Sequence, residues 1–77
     1  MGALSNISGK EAVKIFKKIG YCLERQEGSH MILYNEQPGY PPLCIPNHKE
    51  LAPGLLAAQI KRAKLTVGEF NRLRKKA

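Results

Sequence analysis

Between Ser8 and Gly20 the apolar residues Ala12, Ile15, Phe16 and Ile19 recur three and four positions apart, the spacing of one buried helix face. Lys10, Lys14, Lys17 and Lys18 take the positions between, as a solvated face does. Ser8 and Glu11 stand at the spacing of a capping box, and Gly20 supplies a left-handed stop. The pattern predicts a first helix.

The period then shortens. YCLERQ (21–26) and SHMILY (29–34) predict two strands joined at Glu27–Gly28, where glycine accepts the positive φ of a tight turn. A loop of those two residues sets Arg25 opposite His30, Leu23 opposite Ile32 and Tyr21 opposite Tyr34. NEQPGYPP is a turn-rich connection, and LCI is a short third strand that Pro46 ends, because proline cannot donate to a ladder.

Pro53 suits the first turn of a second helix, whose buried face is Leu56, Ile60 and Ala63. Thr66 and Glu69 repeat the capping-box spacing ahead of a short last helix anchored by Val67, Phe70 and Leu73. The sequence thus predicts one α+β domain over residues 1–77, with loose ends at 1–7 and 74–77. Its order is α-β-β-β-α plus a short C-terminal helix: a three-stranded antiparallel sheet packed on two helices. Double-stranded-RNA-binding domains share that order and recognise RNA by shape and 2′-hydroxyls.

Charge adds a partner. Thirteen Lys and Arg oppose six acidic residues, for a net charge of +7 and a pI near 9.7. Such a field attracts polyanions, although excess lysine also serves plain solubility. An apolar fraction of 43% argues against wholesale disorder. At 77 residues a deep cleft is not expected, so a site should be shallow.

Cys22 and Cys44 lack C-x-x-C spacing and follow no signal peptide, so both are expected as buried thiols in a reducing cytoplasm. No stretch approaches a membrane span. Zinc spacing, a phosphate-binding glycine loop and clustered carboxylates are all missing from the sequence, which disfavours metal-dependent nuclease chemistry, and no cofactor is expected.

The histidines are the residues with chemistry at neutral pH. Metal-free RNA cleavage needs a base for the 2′-hydroxyl proton and an acid for the leaving 5′-oxygen, and imidazole can do either. His30 follows Gly28 and Ser29 at the hairpin. The residues alone leave it between a proton-transfer group and a polar strand residue. His48 is open between a partner acid and a loop-orienting role.

SGKE, IFKKIGYCLERQEGSHMIL and IPNHKELAPGLLAAQIKRAKLTVGEF together resemble the HicA (YcfA-like) family of bacterial toxins, from about Ser8 to Phe70. Four pieces stand in order: the lysine-rich helix ending in Gly-aromatic, Arg25-x-x-Gly28-Ser29-His30, Pro46-x-His48, and Gly54-Leu55-Leu56. The resemblance implies a double-stranded-RNA-binding-like fold, RNA endonuclease activity and a HicB antitoxin. It carries the family's catalytic histidine to His30.

Arg25, Gly28 and Ser29 are candidates to meet the phosphate, open against a solvated strand face, a turn glycine and a polar hairpin end. Lys10, Lys14, Lys17, Lys61 and Arg62 are candidate phosphate contacts that solvated helix faces would also explain. Tyr21, Tyr34 and Tyr40 are candidates for base stacking. In double-stranded-RNA binders a lysine cluster opens the last helix. ELAPG offers only the preceding Lys49, so single-stranded messenger RNA is the expected substrate. A non-catalytic RNA-binding module and a basic protein–protein adaptor are the alternatives.

Overall fold

The computed structural model describes Leu4 and residues 6–75. Its elements run α1 (Gly9–Lys17), β1 (Tyr21–Glu27), β2 (His30–Asn35), β3 (Leu43–Pro46), α2 (Pro53–Arg62) and α3 (Val67–Lys75). The three strands form one antiparallel sheet in the order β1-β2-β3. Helices α1 and α2 cover one face, and α3 rests on both of them. This is the expected α+β architecture.

Local chemistry sets the ends. The Ser8 hydroxyl accepts the Glu11 N–H at 3.0 Å, capping α1. The Glu11 carboxylate does not close the box; it accepts from Arg74 Nε at 2.9 Å and so ties α1 to α3. At α3 the box is complete. The Thr66 hydroxyl accepts from Glu69 N at 3.1 Å, while Thr66 N donates to the Glu69 carboxylate at 2.9 Å. Pro53 opens α2, and Leu56, Ile60 and Ala63 are buried beneath it.

The core joins these faces to Met31, Leu33, Leu43 and Ile45 of the sheet. Phe16 sits at its centre, with ring centroids 6.1 Å from Tyr21 and 5.4 Å from Phe70. Asn35 is the buried polar side chain among the described residues. Its amide donates to the Ile19 carbonyl at 3.2 Å and accepts from Gln37 N at 2.9 Å, so burial leaves neither end unpaired.

The hairpin register differs from the expected one. The loop is Gly28–Ser29, so Glu27 pairs with His30 and Arg25 with Ile32. Gly28 has φ +60° at the first loop position, where a type II′ turn calls for glycine. A bulge between Leu23 and Arg25 adds one residue, so Leu23 pairs with Leu33, Cys22 with Tyr34, and Tyr21 with Asn35. Without that extra residue, alternation would turn Tyr21 outward. The bulge puts Tyr21 in the core, where its hydroxyl donates to the Pro41 carbonyl at 2.7 Å. Burial, and next the neighbouring Tyr40, holds this phenol above its ordinary pKa.

One further expectation is corrected. Cys22 and Cys44 are exposed, because each points to the face of the sheet that no helix covers. Of the ends expected to be loose, residues 1–3, 5, 76 and 77 lie outside the described residues. Leu4 and Ile7 are core residues, and Arg74 is held by Glu11.

The tightest approach is at Gly9. A β-carbon there would penetrate the Pro46 carbonyl oxygen and lie 3.1 Å from Asn47 Cα. An added methyl would push α1 off the end of β3. Gly9→Ala is expected to destabilise the fold by about 1–3 kcal/mol in urea unfolding, the usual penalty of overpacking. Gly54 has open space around it, so Gly54→Ala is expected to be neutral or stabilising by up to about 1 kcal/mol. Equal midpoints for the two variants would contradict the contact.

Candidate active site

His30 opens β2 at one end of the sheet and is exposed. Its cross-strand partners are Glu27 on β1 and Pro46 on β3. Backbone bonds fix the surroundings. Asn47 N donates to the Ser29 carbonyl at 2.6 Å, and Gly9 N donates to the His48 carbonyl at 2.9 Å. The hairpin tip, the segment holding His48 and the start of α1 therefore meet at one end. Lys10, on the first turn of α1, belongs to this end, and an added β-carbon at Gly28 would meet nothing within 4 Å. The result is a shallow, open platform with a fixed backbone.

Arg25 is not opposite His30, as expected from sequence, but two pairs further along, facing Ile32. Its Nε donates to Glu27 at 2.6 Å and its Nη1 lies 3.6 Å from Glu24. The hydrogen bond to Glu27, then that carboxylate's charge, holds the guanidinium further above its ordinary pKa. The arginine is thus paired with carboxylates on its own strand, and a phosphate competes with them for its N–H donors.

Glu27 is the residue that sequence reasoning passed over. It contacts Arg25 and faces His30 across the ladder. The signal was present: residues two apart in a strand share a face, and glycine first in a two-residue loop places the residue before it opposite His30.

The other cations are spread out. Six residues of β2 separate the His30 end from the Asn35 end by roughly 17 Å. Lys17, Lys61 and Arg62 lie towards the Asn35 end, where α1 and α2 finish. Arg62 Nη2 donates to the Pro42 carbonyl at 3.2 Å, and Lys64 Nζ stands 5.6 Å from the centroid of Tyr40. The structure therefore brings Gly28, Ser29 and the chain at His48 and Gly9, which Lys10 follows, to the end of the sheet that holds His30. It leaves Lys14 midway along α1 and places Lys17, Lys61 and Arg62 towards the other end.

The three tyrosines divide as well. Tyr21 is core, Tyr40 is half-buried beneath Lys64, and Tyr34 is 50% exposed on the uncovered face. Beside Tyr34 on that face stand Cys22, Ile32 and Cys44. The two thiols belong to strands on either side of β2, too far apart for a disulfide. Among the described residues, no three His, Cys, Asp or Glu gather as a metal site, and no helix is long and apolar enough to cross a membrane.

Residues 9–65 match the family model described as HicA toxin of bacterial toxin–antitoxin. The chain belongs to the HicA toxin family. It is accordingly a toxin of a toxin–antitoxin system, with an antitoxin as its counterpart. The HicA match takes in α1, the whole sheet and α2, and with them Gly28, Ser29, His30 and His48. Helix α3, Val67–Lys75, lies beyond it. Neither the curated proteins nor the solved structures provide a match to the chain.

Proposed function

We propose that this HicA toxin is a metal-independent RNA endonuclease, cutting single-stranded messenger RNA in the cytoplasm with His30 as its proton-transfer group. The observation that carries the reading is the placement of His30: an exposed imidazole on a backbone fixed by the Asn47–Ser29 bond, beside the unobstructed turn at Gly28. A polymer can lie across such a platform, and a fixed base raises the rate only when it is held at the proton it must take.

In the proposed reaction the imidazole removes the 2′-hydroxyl proton, and the 2′-oxygen attacks phosphorus. The bond to the 5′-oxygen breaks, and that oxygen takes a proton from the imidazolium, from His48 or from water. Open space at Gly28 lets the phosphate approach the backbone, with Ser29 able to donate to it. Arg25 takes part once the phosphate replaces Glu27 on its guanidinium. Lys10, Lys14 and Lys17 hold the flanking phosphates along α1, while Lys61 and Arg62, at the far end of α2, add only long-range attraction.

The deciding assay uses RNA in excess chelator. RNA should be cut, and a strand with one deoxy sugar at the scissile position should survive, because it lacks the nucleophile. The His30 side chain is exposed and accepts no hydrogen bond among the described residues, so His30→Ala should keep its fold. It should also keep its RNA affinity, since phosphate contacts supply most of that. Cleavage should fall by about 10² to 10⁴. A folded variant cutting at the wild-type rate would move the base to His48.

The same reading takes a HicB-like protein as the antitoxin. A shallow site is most simply blocked by covering it, and the uncovered sheet face offers Ile32 and Tyr34 to such a cover. A partner rich in Asp and Glu would be drawn to the net +7 chain, and its association should slow steeply as salt rises. The complex should bury His30 and Arg25. A complex that leaves both in solvent would point to inhibition by conformational change.

A further inference from the structure

The charged residues are sorted by layer. From Tyr21 to Glu36 the chain carries Glu24, Glu27 and Glu36 against the single cation Arg25, which is already paired. Lys49 and Glu50 offset each other. The excess positive charge of the protein therefore resides in the helices and the short segments that follow them. The strand that bears His30 stands in a locally acidic hairpin, which repels the backbone of a nucleic acid. If RNA is the substrate, something other than the hairpin must hold it.

Several helical cations are already engaged within the protein. Arg74 is on Glu11, Arg62 on the Pro42 carbonyl and Lys64 on the Tyr40 ring, while Lys18 Nζ donates to the Leu73 carbonyl at 2.8 Å. Lys10, Lys14 and Lys17 are exposed and make no ion pair among the described residues. They fall at i, i+4 and i+7, one stripe pointing away from the core residues Ala12, Ile15 and Phe16. Lys10 and Lys14 stand four residues apart, about 6 Å along the axis, which is the scale of neighbouring phosphates on a strand.

Helix α3 extends this surface. Arg72 and Lys75 are exposed on the side away from Phe70, and the Phe16–Phe70 and Glu11–Arg74 contacts hold α3 against α1. We propose that the outer face of this helix pair, through Lys10, Lys14, Lys17, Arg72 and Lys75, holds the RNA backbone, and that the strand reaches His30 over the N-terminal end of α1. The proposal rests on the RNA-cleaving reading and adds to it a holding surface separate from the cutting end. Part of that surface, α3, lies outside the stretch that matches the family. Contacts of this kind are to phosphates and carry no base preference.

The test measures binding of a labelled single-stranded RNA to the full chain carrying His30→Ala, which keeps the RNA intact, over a series of salt concentrations. Two double variants change the proposed face, Lys14→Glu with Lys17→Glu and Arg72→Glu with Lys75→Glu. A third, Lys61→Glu with Lys64→Glu, makes the same change in net charge at the far end of α2. Each face variant is expected to weaken binding at least tenfold at low salt. Each should also flatten the logarithmic salt slope by about 1.4, the worth of two phosphate contacts on a single strand.

The α2 pair should weaken binding less than threefold. Face variants that bind like the parent, or that lose no more than the α2 pair, overturn the proposed surface while leaving the cleavage reading intact. A parent that binds no RNA at any salt overturns both. Thermal unfolding of each variant confirms that these exposed substitutions leave the fold in place.

Discussion

The contact of Gly9 with Pro46 governs how the molecule closes. Helix α1 can start against the end of β3 only because residue 9 has no side chain. Three backbone bonds close around that point: Gly9 N to the His48 carbonyl, Asn47 N to the Ser29 carbonyl, and Leu51 N to the Ile7 carbonyl at 2.8 Å. They join the N-terminal segment, the hairpin tip and the approach to α2, which are distant in sequence. His30 inherits its fixed position from this clasp, although its own side chain is free in solvent. A small domain thereby holds an exposed imidazole at a fixed place on its sheet.

The same economy of size divides labour across the surface. One sheet face is needed for the core, and the other stays uncovered with Cys22, Ile32, Tyr34 and Cys44 on it. The hairpin is acidic and the helices are basic. A platform that offers chemistry but repels phosphate is compatible with RNA cleavage only if binding is delegated elsewhere. The Arg25–Glu27 pair is the local expression of that conflict, since the nearest arginine is paired with a carboxylate until a stronger anion arrives.

Most of the fold was legible in the sequence because its punctuation is local. Ser8, Pro53 and the Thr66–Glu69 pair mark helix starts by chemistry that acts within one turn. The buried stripes of α1 and α2 follow directly from spacing. The strand register was not legible, because it depends on which residues form the loop and on a bulge at Glu24 that no periodicity announces. The loop position moves Arg25 away from His30, and the bulge moves Tyr21 into the core. The exposure of the cysteines depends on which face the helices cover, which is a tertiary fact. Leu4 and Ile7 look like a loose end in isolation and become core only when α1 docks. The exposed place of His30 at the hairpin could be read from its motif, whereas the place of Glu27 opposite it was hidden by the wrong register.

The central claim is that His30 drives attack by the RNA's own 2′-hydroxyl. The most direct measurement is the chemical identity of the cut ends, read by mass spectrometry after cleavage in excess chelator. Attack by the 2′-oxygen leaves a 2′,3′-cyclic phosphate on one fragment and a 5′-hydroxyl on the other, and that is the expected result. Fragments ending in 3′-hydroxyl and 5′-phosphate would mean that water attacked instead, and the proposed role of His30 would be wrong.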